Sequence, residues 1–152
     1  MTHTIEVPLQ FLANAKNIKI PKYATAGSSG FDLAAATEVN LHLEPTKHCL
    51  IPCGICIALP NGYEGQVRPR SGLALRHGIS ILNSPGTIDS DYRGEISVLL
   101  INHSNQNFLI KPGLRIAQLV IAPIIRAEFS VVKFLPQSSR GEDGFGSTGM
   151  ES

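Results

Sequence analysis

Apolar residues recur at every second position in several short windows of this chain, and turn residues separate the windows. Val39, Leu41 and Leu43 alternate with Asn40, His42 and Glu44 up to Pro45, and Ile55, Ile57 and Leu59 repeat the pattern before Pro60-Asn61-Gly62. Period-two spacing lays one side of a strand on a core and leaves the other in water. Tyr63–Arg68 reads as a further strand, the run ISVLLI from Ile96 as a buried one, and 108–110 as another ahead of the Lys111-Pro112-Gly113 turn. Residues 4–7 and 17–20 suit short edge strands, 114–125 is apolar apart from Arg115 and Gln118, and 127–135 closes the body of the domain. One window breaks the rule. Ser71 to Gly78 has helical character, with Ser71 placed to cap its start and Gly78 its end.

Composition narrows the fold. Fourteen glycines and ten prolines are scattered through 152 residues that are 43% hydrophobic and 16% charged, which leaves few windows of helical length. The profile is that of one all-β domain, a sandwich or barrel, with one short helix. A formal net charge of +1 argues against a large nucleic-acid footprint, so no nucleic-acid partner is expected and any phosphate site should be local. The start MTHTIEVPLQ lacks a signal pattern, and no apolar run approaches the roughly 20 residues that span a bilayer. The expectation is a cytoplasmic protein with no membrane partner.

Two polar side chains in the apolar run at 114–125 need a reason. By simple alternation Arg115 and Gln118 fall on opposite faces, one bracing the fold and one reaching a ligand. Asp89 and Asp91 flank Ser90 where the loop after Pro85-Gly86 enters the apolar strand, as if on a hairpin. In extended chain they share a side, and a carboxylate fixed there can deprotonate a water; a solvated turn explains the same residues by local hydrogen bonding. Asp32 sits between Phe31 and Leu33 and either caps its own turn or holds a hydrated cation or phosphate-side network. Arg70-Ser71-Gly72 offers amides, a hydroxyl and a guanidinium together, a set suited to an anion and equally to an ordinary capped turn.

Other signals are weaker. Cys49, Cys53 and Cys56 lack a second ligand pair, so a zinc site is not expected, and the five histidines are scattered without a metal motif. Residues 138–152 (SSRGEDGFGSTGMES) are too glycine-rich to hold themselves folded and form a mobile arm following a domain of 1–137. The string from Gly144 to Gly149 matches GxGxxG but has no helix after it, which excludes the dinucleotide reading. Its amides, Ser147 and Thr148 can wrap phosphates, Arg140 adds positive charge and Phe145 can stack on a base.

Five stretches stand in order: GSSGFDL, PRSGLA, GTIDSDYRGEI, RIAQLV and RGEDGFGSTG. Together they resemble the five motifs of the homotrimeric deoxyuridine triphosphatases (dUTPases), across residues 24–149. The resemblance implies a jelly-roll β fold with a flexible C-terminal arm, a homotrimer with sites built from more than one chain, and hydrolysis of dUTP to dUMP and pyrophosphate with Mg2+. That reaction would keep uracil out of DNA and supply dUMP for thymidylate synthesis. By the same resemblance Asp89 is the base that activates water at the α-phosphate, and Tyr92 lies against the deoxyribose. The backbone of 83–96, with Asn83, Gly86, Thr87 and Ile88, imitates a base partner for uracil. Arg70, Ser71, Gly72 and Gln118 hold phosphate oxygens, and Asp32 orients the hydrated magnesium. From the arm, Phe145 covers the uracil, while Arg140, Gly146, Ser147 and Thr148 close over the β- and γ-phosphates.

Two rivals are kept. A dCTP deaminase-like enzyme shares the fold but calls for a glutamate base and a different motif where PRSGLA stands. A non-catalytic nucleotide-binding jelly-roll module would bind dUTP without releasing pyrophosphate, yet has no need of a water-activating acid.

Overall fold

The computed structural model describes residues 4–142. Eleven strands and one helix follow one another among them: β1 (Leu9–Phe11), β2 (Phe31–Ala34), β3 (Leu41–Leu43), β4 (His48–Pro52), β5 (Ile55–Ile57) and β6 (Tyr63–Arg68), then the helix α1 (Ser71–His77). β7 (Ile79–Ile81), β8 (Gly86–Ile88), β9 (Ser97–Asn102), β10 (Phe108–Ile110) and β11 (Arg115–Pro123) complete the series. A four-stranded sheet runs in the order β2-β11-β6-β8 and a three-stranded one in the order β4-β9-β7, with the ribbons β1-β5 and β10-β3 beside them. All these pairings are antiparallel. The molecule is an all-β jelly roll with one short helix.

The core lies where both larger sheets turn their apolar sides. Leu33, Val67, Ile116 and Leu119 from one meet Ile51, Ile79, Val98 and Leu100 from the other, and all are nearly sealed from water. Each such side chain contributes roughly 1.5–3 kcal/mol through burial. The alternation along β9, with Val98, Leu100 and Asn102 buried and Ser97, Leu99 and Ile101 less so, is the period-two pattern of its sequence. Asn102 is polar and fully buried; its Nδ2 donates to Leu43 O (2.9 Å) and Gln106 O (2.8 Å), and its Oδ1 accepts from the amide of Ser104.

Several expected boundaries move. Residues 4–7 and 17–20 carry no strand; the N-terminal strand is β1, which pairs with β5 through Leu9, Gln10 and Phe11. Val39 lies outside β3 and is 65% exposed. Ser71 opens α1 but makes no capping bond, because the N-cap is Arg70 in extended backbone. At the other end Gly78 is left-handed (φ 64°), and its amide satisfies the carbonyls of Leu73 and Ala74. Residues 127–135 form no strand and stand in solvent in this chain, with Phe129 at 97% and Val131 at 100% exposure.

The segment expected as one hairpin instead joins two sheets. β8 pairs with β6, whereas β9 pairs with β4 and β7, so 89–96 is the corner where the chain passes from one layer to the other. That corner carries Asp89.

Candidate active site

The residues singled out from sequence gather in two places. At the edge of the four-stranded sheet, Asp32 of β2 is bracketed by two guanidinium groups. Arg70 Nε lies 2.9 Å from Oδ1, and Arg115 Nη1 lies 2.9 Å from Oδ2. Arg70 also reaches the carbonyl of Arg115 through Nη1 at 3.0 Å, so its planar fork holds a side chain and a backbone at once. Asp32 therefore ties β2 to β11 and to the residue that leads into α1, and does not cap its own turn.

A β-bulge accounts for the convergence. The register of β11 against β2 slips between Arg115 and Ala117, which adds one residue to the count and reverses the parity of what precedes it. Arg115 and Gln118 thus serve the same edge and not opposite faces: Gln118 pairs with Asp32 in register, and its Nε2 donates to Pro69 O at 3.1 Å. Gln118 and Ser71 line a cleft of about 480 Å3 with Gln66, Arg68, Ser84 and Pro85. Gly72 stands against the guanidinium of Arg76, and a side chain there would meet it at 2.8 Å.

The second place is the corner after β8. Ile88 is buried and anchors the strand, Thr87 faces out, and Asp89 is the exposed residue immediately beyond it. Ser90 and Asp91 form a turn rather than continuing the strand. The turn is fastened from within: Tyr92 N donates to Asp89 O (3.1 Å), while Arg93 Nη1 donates to the carbonyls of Ser90 (2.6 Å) and Tyr92 (2.8 Å). Tyr92 Oη donates to Glu95 O at 3.0 Å. Asp89 separates two clefts. One of about 310 Å3 is lined by Thr87, Ile88, Asp89, Tyr92, Glu95 and Leu50, and one of about 530 Å3 adds Asp91, Arg93, Tyr63 and Glu64 on the other side.

Gly86 opens β8, and the side-chain amide of Asn83 folds back over it, so a Cβ there would lie 3.4 Å from Asn83 Nδ2. The chemistry at the corner is an exposed carboxylate on a braced turn, an aromatic wall, and the edge of a short strand. At the Asp32 edge it is fixed donors: two arginines, an amide and a hydroxyl, suited to anionic oxygens. No side chain among the described residues lines both the Tyr92 cleft and the Gln118 cleft.

As to metal, no group of three or more His, Cys, Asp or Glu side chains gathers among the described residues. Asp32 alone cannot enclose a cation. Each of its oxygens keeps a lone pair beyond its arginine bond, so it can accept from a water of a hydrated magnesium ion and fits an outer-sphere role. Cys53 is a buried thiol, pushed up to about 12 by desolvation and, secondarily, by the charge of Glu95. Phe145, Gly146, Ser147 and Thr148 lie outside the described residues; Arg140 lies within them, inside a turn in which Gly141 N donates to Ser138 O at 3.2 Å.

Sequence reading passed over Glu95. Its Oε1 accepts from Asn14 Nδ2 and from Gly54 N, both at 2.8 Å and from segments far away in the chain. The available signal was a lone acid between a glycine and a buried isoleucine.

Comparison with known proteins bears on this arrangement. A family model described as dUTPase matches residues 16–149. The deoxyuridine 5'-triphosphate nucleotidohydrolase of Beijerinckia indica subsp. indica is 56% identical over 140 residues, covering 91% of this chain and 88% of the relative. The protein of the same name from Wolbachia pipientis subsp. Culex pipiens is 52% identical over 147 residues, 95% of this chain and 96% of the relative. Among solved structures, the Staphylococcus bacteriophage 80alpha dUTPase with dUPNHPP superposes with a TM-score of 0.83 at 28% identity, covering 97% of this chain and 100% of that one.

Proposed function

This chain belongs to the dUTPase family, and from that membership we propose how its own residues carry out the hydrolysis of dUTP to dUMP and pyrophosphate. The protein is a hydrolase of nucleotide metabolism; its reaction keeps uracil out of DNA and supplies dUMP. The deaminase and non-catalytic readings lose ground to relatives that share more than half of its residues and are named for dUTP hydrolysis.

Asp89 takes a proton from a water that attacks the α-phosphorus, and the bond to the bridging oxygen breaks to release pyrophosphate. What supports this is one observation: Asp89 is an exposed carboxylate on a turn braced by Arg93, and it shares a cleft with Tyr92, Thr87 and Ile88. A base that does not wander shortens the search for the in-line geometry. Tyr92 lies against the deoxyribose. The backbone of 83–88, with Asn83, Gly86, Thr87 and Ile88, faces the uracil edge. Arg70, Ser71, Gly72 and Gln118 hold phosphate oxygens, and Arg140, Phe145, Gly146, Ser147 and Thr148 close over the nucleotide as an arm of 138–152 following a domain of 1–137. Mg2+ when bound neutralises phosphate charge; Asp32 would accept from its water.

The assembly is a homotrimer. Two features favour partners of the same kind. The outer row Leu50, Leu99 and Leu82 crosses the three-stranded sheet, with Leu50 64% exposed, and Ile125, Phe129, Val131, Phe134 and Leu135 stand in solvent in one chain. So much apolar surface is costly in water unless covered. The separation of the Asp32 edge from the Asp89 corner likewise suits sites completed between chains. The substrate is the small molecule dUTP, with neither nucleic acid nor membrane as partner, and the compartment is the cytoplasm. No helix among the described residues is long and apolar enough to cross a membrane.

The test is Asp89→Asn. It should bind dUTP with little change while turnover falls by about 10²–10⁴-fold. Steady-state turnover equal to that of the parent enzyme removes Asp89 from the role of base.

A further inference from the structure

A half-buried carboxylate such as that of Glu95 is costly to keep unless hydrogen bonds satisfy it. Its Oε1 ties three segments together. Asn14 Nδ2 and Gly54 N both donate to it at 2.8 Å, Leu12 N donates to Gly54 O at 2.9 Å, and Ile96 N donates to Ile55 O at 2.8 Å. The knot is closely packed. Gly54 has φ 70°, and a Cβ there would lie 2.9 Å from the Cβ of Ala15.

The other end of the same residue faces the site. The Glu95 carbonyl is the acceptor for Tyr92 Oη at 3.0 Å, and Gly94 leaves room for the ring because a Cβ there would fall 2.4 Å from that oxygen. The tyrosine is 44% exposed, so little packing holds its ring in one place. Its hydroxyl bond does so, and that bond is only as steady as the peptide that accepts it. The Ile96 N to Ile55 O bond holds that peptide from its other side, and the side chain of Glu95 ties the residue that carries the carbonyl to Asn14 and Gly54.

We propose that Asn14 and Glu95 form a positioning clamp for Tyr92, through which the N-terminal segment sets how strictly the enzyme rejects a ribose in favour of a deoxyribose. The proposal rests on the reading that Tyr92 lies against the sugar. Neither Asn14 nor the Glu95 carboxylate needs to touch the nucleotide. They hold the ring so that a 2′-hydroxyl finds no space, and a ring free to tilt admits one.

The experiment compares kcat/KM for dUTP and UTP by pyrophosphate release in the full-length enzyme, for Asn14→Ala, Glu95→Ala, Glu95→Gln, Tyr92→Phe and Tyr92→Ala. Loosening by Asn14→Ala, Glu95→Ala or Tyr92→Phe should lower the preference for dUTP by about three- to tenfold, and removal of the ring by more. Glu95→Gln should restore it, since both bonds land on one oxygen that an amide oxygen replaces. If Asn14→Ala and Glu95→Ala slow both nucleotides equally with the ratio unchanged, the clamp is only structural and the proposal fails. If Tyr92→Ala also leaves the ratio unchanged, the sugar-facing reading falls first and takes the clamp with it. Should Glu95→Ala not fold, Asn14→Ala carries the decision alone, because it removes a single bond from a side chain outside the cleft.

Discussion

Replacing Gly94 by alanine separates the cost of folding from the cost of catalysis. A Cβ at this position would lie 2.4 Å from Tyr92 Oη, 2.6 Å from Cζ and 2.9 Å from Cε2. Gly94 is not in the left-handed region, so the backbone accepts alanine without strain and the whole conflict falls on the ring. To reach ordinary van der Waals separation the ring edge must retreat by about 1 Å. A shift of that size takes the 3.0 Å bond from Tyr92 to Glu95 O out of the narrow range in which a hydroxyl donates. The fold loses one exposed hydrogen bond, about 1 kcal/mol, or roughly 2–4 °C in melting temperature for a chain of this size. Catalysis loses more, because a misplacement of about 1 Å in a positioning group costs on the order of 10²-fold. The assay pairs a thermal melt with kcat/KM for dUTP. A value of kcat/KM within twofold of the parent would refute the role given to the ring, and a melt lowered by more than about 10 °C would show that the backbone had yielded instead.

Three further substitutions or conditions test other parts of the structure. Arg70→Lys keeps a charge but cannot hold Asp32 Oδ1 and Arg115 O together, so kcat/KM should fall about tenfold or more with a melt lowered by only a few degrees; unchanged kcat/KM would mean that charge suffices. Gly30→Ala would bring a Cβ 2.8 Å from Leu119 O and 2.9 Å from Val120 Cγ2, in a sheet that cannot open there, and the urea midpoint should drop by the equivalent of about 1–3 kcal/mol; no drop would show that β2 moves freely on β11. Burial, reinforced by Glu95, pushes the Cys53 thiol up to about 12. The folded state therefore keeps a proton that the unfolded chain releases from about pH 9 upward, and stability is unaffected below that and falls as pH rises toward 12. A melt that declines from pH 9 to 11, and declines less in Cys53→Ala, is the expected result; equal slopes would place the alkaline loss elsewhere.

What could be read from the chain was what local chemistry decides. β6 spans the residues expected as a strand, Tyr63–Arg68, and Gly78 ends α1 because only a residue without a Cβ takes its φ cheaply. The motifs around Asp32, Arg70, Asp89 and Gln118 stood out because acids, guanidinium groups and amides beside apolar strands need partners. Sequence could not say who those partners are. The bulge in β11 is a property of the pairing with β2, and counting by twos along β11 alone puts Arg115 on the wrong face. The expected hairpin failed for a similar reason. β8 and β9 are neighbours in sequence, yet β8 pairs with β6 while β9 pairs with β4 and β7 in the other sheet, and the corner between them follows from those long-range pairings. Ser71 looks like a cap because serines often cap, but the extended Arg70 occupies that position one residue earlier. Glu95 escaped notice because its donors come from Asn14 and Gly54, and no window holds all three.

In the proposed mechanism this corner carries both discrimination and chemistry, and its construction suits that double duty. A chain passing between two sheets leaves hydrogen-bonded register on both sides of the passage, so its few free residues are held at each end by a whole layer. β8 fixes Ile88 through β6, and the Cys53–Ile96 and Ile55–Ile96 backbone bonds fix the far end at 2.9 and 2.8 Å. Between these anchors only Asp89 to Glu95 can adjust, and the Arg93 and Tyr92 bonds remove most of that freedom. A loop of equal length inside a hairpin would be anchored to one sheet and would twist with it. By bridging two layers, the turn holds its carboxylate against the rigid frame of the whole domain. Under the roles proposed for Tyr92 and Asp89, rejecting a hydroxyl on the sugar and aligning a water on phosphorus both need references fixed in one frame, which this corner supplies.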